Sequence, residues 1–184
     1  AGYPLNSKAL LIVELDGPQV EVGSLINRVE NISKAHNATY TKVSEDEEER
    51  LRFWSGRKSA FPAVGRLSPD YLCMDGTIPR GQLAYVLERL GELSEKYGLR
   101  VANVFHAGDG NLHPLILFDS NIEGQTELAE AMGGDILRLC VEVGGVLTGE
   151  HGVGVEKRDL MGEMFTDEDM KQQQRLKCAF DPEH

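Results

Sequence analysis

Val104-Phe105-His106-Ala107-Gly108-Asp109-Gly110-Asn111-Leu112-His113-Pro114-Leu115 reads as two apolar half-strands hinged on Asp-Gly, the strongest short-range hairpin signal a sequence carries. With Asp109 and Gly110 as the central pair of a type I′ turn, Gly108 faces Asn111, Ala107 faces Leu112 and His106 faces His113. Residues directly opposite on paired strands point to one face, with Cβ atoms about 4.5–5.5 Å apart. Two imidazoles so placed can share a metal ion or a substrate oxygen, roles that histidine fills as ligand and proton carrier. The plainer alternative is a pair of satisfied polar residues on a sheet face.

Outward from the hairpin, apolar arms extend over Val101–Phe105 and Leu112–Phe118. Upstream, Pro79 opens a helix through Leu83, Val86, Leu87, Leu90, Leu93 and Tyr97, and Gly98 stops it. Before it, Tyr71–Ile78 reads as a strand, as do Lys8–Leu15 and the alternating Ala38–Val43. Val22, Leu25, Ile26, Val29 and Ile32 recur at helical spacing between Glu21 and His36. Ser44-Glu45-Asp46-Glu47 forms a capping box for a helix carrying Trp54, Arg57 and Lys58, which breaks near Phe61-Pro62. Downstream, Glu127–Val143 is a long helix stopped by Gly144-Gly145, Lys157–Met164 a short one, and Thr166-Asp167-Glu168-Asp169 caps a last one through Cys178. Strands alternate with helices, yet the central hairpin is antiparallel by construction. The expected class is α+β, one antiparallel sheet with helices on a face.

The chain of 184 residues is one domain by length, with an ordinary globular hydrophobic share of 41%. A formal net charge of −11 argues against a nucleic-acid partner, which requires a basic face. No apolar run approaches the roughly 18 residues of a membrane span and no signal peptide is visible. Cys73, Cys140 and Cys178 are odd in number and widely spaced, matching neither a disulfide framework nor a zinc ribbon, so a reducing cytoplasm is expected.

A second constellation is Gly149-Glu150-His151-Gly152-Val153-Gly154. Glycines let a backbone approach a ligand closely, and a carboxylate beside an imidazole suits a metal ligand and a general base. The alternative is a flexible turn. A phosphate loop is excluded by the lack of G-x-x-x-x-G-K-[ST]. Glu150 joined to His106 and His113 makes a His₂-carboxylate set of the kind that binds Zn, and also Fe or Mn, with a position open. Asp109 fits the turn and is read as structural. Arg57 offers a planar fork for a carboxylate but reads from spacing alone as a surface helix residue. Lys157 meets a phosphate or caps a helix end. Trp54, Phe61 and Tyr71 read as core, and Cys73 has no visible activating neighbour.

His-Ala-Gly-Asp-Gly-Asn-Leu-His at 106–113 and Gly-Glu-His-Gly-Val-Gly at 149–154 follow Met74-Asp75-Gly76-Thr77-Ile78-Pro79-Arg80. In that order they resemble the C-terminal domain of the FAD-linked oxidases, the glycolate oxidase, D-lactate and D-2-hydroxyglutarate dehydrogenase group, over nearly the whole chain. The resemblance implies a single substrate or cap domain over residues 1–184 with a ferredoxin-like antiparallel sheet covered by helices. The N-terminal FAD-binding domain that the resemblance also implies is expected to lie outside these 184 residues. It implies a divalent metal (Zn, Mn or Fe) on His106, His113 and Glu150. By the same resemblance, His151 would take the hydroxyl proton of a D-2-hydroxy acid while the substrate Cα gives hydride to FAD. Arg57 clamps the substrate carboxylate, Asn111 faces substrate or flavin, and Gly152 and Lys157 lie toward the cofactor. In some members a lysine that binds substrate stands near the position of Cys73, so its absence points to a small substrate of the glycolate or D-lactate kind. The implied partners are the chain's own FAD domain, other glycolate oxidase subunits and a second copy in a homodimer, and the implied location is cytoplasmic or peripheral to the inner membrane. Without the flavin domain the chain is expected to be inactive. Two other readings are a non-catalytic metal- or partner-binding domain and a stand-alone zinc hydrolase.

Overall fold

A computed structural model describes residues 2–4 and 6–183. It divides into two compact units, Ala1–Ala60 and Phe61–His184. The first holds helices α1 (Gln19–Ala35) and α2 (Glu47–Lys58). Asp46 starts α2 by accepting the Glu49 N–H at 2.8 Å, so the cap lies two residues beyond the expected Ser44. The Glu49 carboxylate reaches back past the cap to the Glu45 N–H at 3.0 Å, so the helix start is capped by an aspartate instead of a serine. Lys8–Leu15 and Ala38–Val43, expected as strands, are irregular. Local alternation favours extended backbone, but a strand also needs a ladder partner, and none of the described residues supplies one there.

After a break at Ser59 the chain continues into α3 (Ala60–Val64), which from Phe61 on belongs to the second unit. Pro62 falls in its first turn, where no N–H partner is needed. The expected strand over Tyr71–Ile78 is two strands, β1 (Asp70–Cys73) and β2 (Gly76–Thr77), parted at Met74-Asp75. A single turn of 3₁₀ helix (Arg80–Gln82) leads into α4 (Leu83–Tyr97), which Gly98 ends with φ 67°. Then come β3 (Val101–Asn103), β4 (Asn111–Leu112), β5 (Pro114–Phe118) and α5 (Gln125–Glu142). A 3₁₀ segment (Arg158–Glu163) precedes α6 (Asp167–Phe180), whose Thr166–Asp169 capping box is the one expected.

The strands form two antiparallel ladders, one ordered β1-β5-β3 and one pairing β2 with β4. This is the expected α+β class. β5 is central, and Pro-Leu-Ile-Leu-Phe is buried on both sides, which explains why it reads as a continuous apolar run. Ile116 packs among Met132, Ile136, Leu137 and Cys140 of α5 and Val86 and Leu90 of α4. Leu115 and Leu117 point the other way onto Val64, Phe61 and Val104, as the two-residue strand period requires. Truncating a residue as enclosed as Ile116 costs about 2–5 kcal/mol. No helix among the described residues is long and apolar enough to cross a membrane.

The hairpin register differs from the type I′ reading. Ala102 faces Leu115 and Asn103 faces Pro114, and the bridge nearest the turn joins His106 to Asn111. The loop is therefore the four residues 107–110, with the Asp109 and Gly110 N–H groups both donating to the His106 carbonyl at 3.1 Å. The ladder has slipped by two positions. An even slip keeps every side chain on its face, so His106 and His113 remain neighbours, now on the diagonal.

Candidate metal and substrate site

His113 follows β4 on the side of the sheet that carries Leu115, so its ring enters a half-apolar pocket. Phe61 stands edge-on to it at 6.1 Å between centroids. His106 is edge-on at 5.5 Å, and the His151 ring is stacked on it at 5.0 Å and 13°. His113 is 3% exposed, and neither ring nitrogen has a hydrogen-bond partner. Its Nε2 lies 3.0 Å from Glu150 Oε1 without hydrogen-bond alignment. Burial first, and then neighbouring His151, push the His113 pKa below its ordinary value, while Glu150 opposes them. The ring is thereby kept neutral, with a lone pair to give.

His106, His113 and Glu150 each bring one donor atom within 4.8 Å of the others, and so do Asp75, His113 and His151. The first set is the one expected from the sequence. In the second, Asp75 has little left to offer. Its Oδ2 accepts the backbone N–H groups of Gly149, Glu150 and His151 at 2.9, 2.7 and 3.0 Å. Its Oδ1 accepts from Thr148 Oγ1 at 3.1 Å and from the Lys157 ammonium, which also bonds the Asp75 carbonyl. Burial alone would raise the Asp75 pKa, but Lys157 and these N–H groups outweigh it and hold the carboxyl well below the usual range.

His151 stands beside the first set, with Nε2 4.0 Å from Glu150 Oε1 and Nδ1 3.8 Å from Asp75 Oδ1. Its side chain is 45% exposed, as a group that meets substrate must be. Asn111 ties hairpin to loop. Its carbonyl accepts the His106 N–H at 2.9 Å, its side chain lies against Gly149, and its buried Oδ1 has no partner. A Cβ on Gly149 would fall 2.1 Å from that oxygen, so only glycine fits.

Gly152 holds φ 86° in the loop after His151. Lys157 is 2% exposed, its ammonium spent on Asp75. Arg57 lies in the last turn of α2, in the first unit. Burial pushes the half-buried Cys73 thiol up to about 11, with Asp75 adding to the effect, so it is no nucleophile. Asp75 is the residue that sequence reasoning passed over, although it stood within a quoted motif. The available signal was a carboxylate inside the apolar run Tyr71–Ile78, because a charge enters such a run only with partners.

This chain belongs to the FAD linked oxidases, C-terminal domain family, whose model matches residues 1–184. It is 55% identical over 183 residues to the glycolate oxidase subunit GlcD of Escherichia coli strain K12, covering 100% of this chain and 37% of that protein. The glycolate oxidase subunit GlcD of Bacillus subtilis strain 168 is 34% identical, over 98% of this chain and 38% of its own length. The mitochondrial cytochrome-type D-lactate dehydrogenase of Kluyveromyces lactis is 31% identical, over 88% of this chain and 28% of its own. The chain thus spans well under half the length of these relatives.

Proposed function

We propose that this chain is the substrate- and metal-holding domain of an FAD-dependent 2-hydroxy-acid dehydrogenase of the glycolate or D-lactate type. The observation that carries the reading is the buried, neutral His113 with both ring nitrogens unpartnered, within 4.8 Å of donors on His106 and Glu150. A buried polar nitrogen without a partner is costly, and a divalent ion would satisfy it. The donor set, two imidazoles and a carboxylate, suits Zn, Mn or Fe and leaves coordination positions for substrate oxygens. Such an ion, when bound, lowers the cost of forming an alkoxide from the substrate hydroxyl.

Oxidation of a 2-hydroxy acid removes a proton from oxygen and a hydride from Cα, leaving a 2-oxo acid. His151 takes the proton at Nε2, the ring atom on the ligand side, with Nδ1 facing the Asp75 carboxylate. FAD, implied by the family, accepts the hydride, and we assign its binding mainly to sequence that the relatives carry in addition to this region. Phe61, edge-on to the His113 ring at 6.1 Å, supplies an apolar neighbour beside it. Asn111 holds the loop at Gly149 against the hairpin, and we assign its unpartnered Oδ1 a substrate-facing role.

The test is metal analysis of the purified chain after incubation with manganese or zinc salt, beside His106→Ala/His113→Ala and His151→Gln. About one equivalent in the parent and in His151→Gln, and none in the double variant, is the expected result. Uptake that is absent from the parent, or unchanged in the double variant, would remove the basis of the proposal.

A further inference from the structure

Glu150 and His151 sit in a loop between α5 and the 3₁₀ segment, with no regular element to hold them. Their side chains are about half exposed, so packing does not fix them either. Three consecutive backbone N–H groups, those of Gly149, Glu150 and His151, converge on one oxygen of Asp75. Asp75 itself is 0% exposed and lies between β1 and β2, so its position is set by two sheet ladders. The Thr148 hydroxyl bonds the other Asp75 oxygen and also accepts the Gly152 N–H at 2.9 Å, which closes both ends of the loop. Lys157, 2% exposed, supplies a buried positive charge that, with these N–H groups, lets the carboxylate stay ionised here.

We propose that Asp75 is a positioning residue that sets the Glu150 ligand and the His151 base through their own backbone, with Lys157 as its buried counter-charge. The inference rests on the metal reading above. Asp75 touches neither substrate nor hydride. It converts a glycine-rich loop, which would otherwise sample many conformations, into a fixed cradle aligned with the hairpin. Outer-shell groups of this kind, when removed, weaken metal affinity about 10–100-fold.

The variants are Asp75→Ala, which deletes the acceptor, and Asp75→Asn/Lys157→Met. In the second, an amide oxygen can still accept the three N–H groups without a buried ammonium facing the amide NH₂. Two readouts are taken on the whole chain: Mn²⁺ affinity, and hydrogen exchange of the amides at 149–151 against those of β5. Asp75→Ala is expected to lose loop protection and at least tenfold in affinity while β5 stays protected, and the double variant to regain most of both. Parent-like affinity and loop protection in Asp75→Ala overturns the inference. So does lost affinity in a loop that remains protected, since Asp75 would then act as a ligand or through charge alone. If Asp75→Ala does not fold, the amide variant decides on the same two readouts, sustaining the inference if both are kept and overturning it if affinity falls with protection intact. If the parent binds no Mn²⁺, the metal reading fails and the exchange data alone decide the positioning role.

Discussion

A histidine with both ring nitrogens buried and unpartnered titrates in an unusual way, and His113 shows the consequence. Folded, it resists protonation because burial and His151 disfavour its cation. Unfolded, it takes a proton at its ordinary value of 6.5. The unfolded chain therefore binds more protons, so stability falls as pH drops below that value. Chemical denaturation at about pH 7.5 and about pH 5.5 should give a lower midpoint in acid, and His113→Gln should flatten the difference. Asp75 does not contribute over this window. Its folded pKa is depressed, so its stabilisation is complete above its ordinary 3.8 and is lost only in stronger acid. Gly149→Ala should cost about 1–3 kcal/mol and weaken metal uptake, because the new Cβ displaces Asn111 and the loop together. Which residues were legible follows from how each acts. His106, His113, Glu150 and His151 carry their chemistry in the side chain, and two spaced motifs display it. Asp75 acts through the backbone of residues some 75 positions away, a pairing that no local spacing encodes.

Elements were legible where local chemistry decides them. The caps at Thr166 and Gly98 and the stripes of α1 and α4 depend on residues within a turn or two. The two lost strands and the split of Tyr71–Ile78 depend on partners elsewhere. The hairpin lies between these cases. Asp-Gly announced a turn but not its length, and the loop is four residues because Gly110, at φ 73°, takes its last position. Its carbonyl accepts the Ile78 N–H at 2.9 Å, and a Cβ there would fall 2.1 Å from the Ile78 carbonyl oxygen. Gly110→Ala thus combines left-handed strain with a backbone clash and should destabilise by about 2 kcal/mol or more. Gly108→Ala, in the same loop, meets nothing within 4 Å and should stay within about 0.5 kcal/mol of the parent. Urea denaturation of the two variants compares them directly, and equal costs would show that the loop is not anchored at Gly110.

At the scale of the whole molecule, apolar burial is distributed unevenly between the two units. Every residue of both core clusters lies at Phe61 or beyond. Before it, the only buried residue among those described is Glu49, and α1 buries none of its apolar stripe. Cooperative folding draws on buried apolar area, which must offset the ordering of the chain, so the second unit alone has the means to fold independently. The metal set, the base and its support all lie between Asp75 and Lys157, inside that unit. A fragment of residues 61–184 is therefore expected to unfold in one cooperative urea transition and to take up Mn²⁺ with affinity within a few-fold of the whole chain. Residues 1–60 alone should show no such transition, only the partial helicity that α1 and α2 hold as isolated peptides. Circular dichroism during denaturation, with a metal titration on the larger fragment, checks both. A larger fragment that folds but binds Mn²⁺ more than tenfold weaker would assign the first unit a direct part in the site.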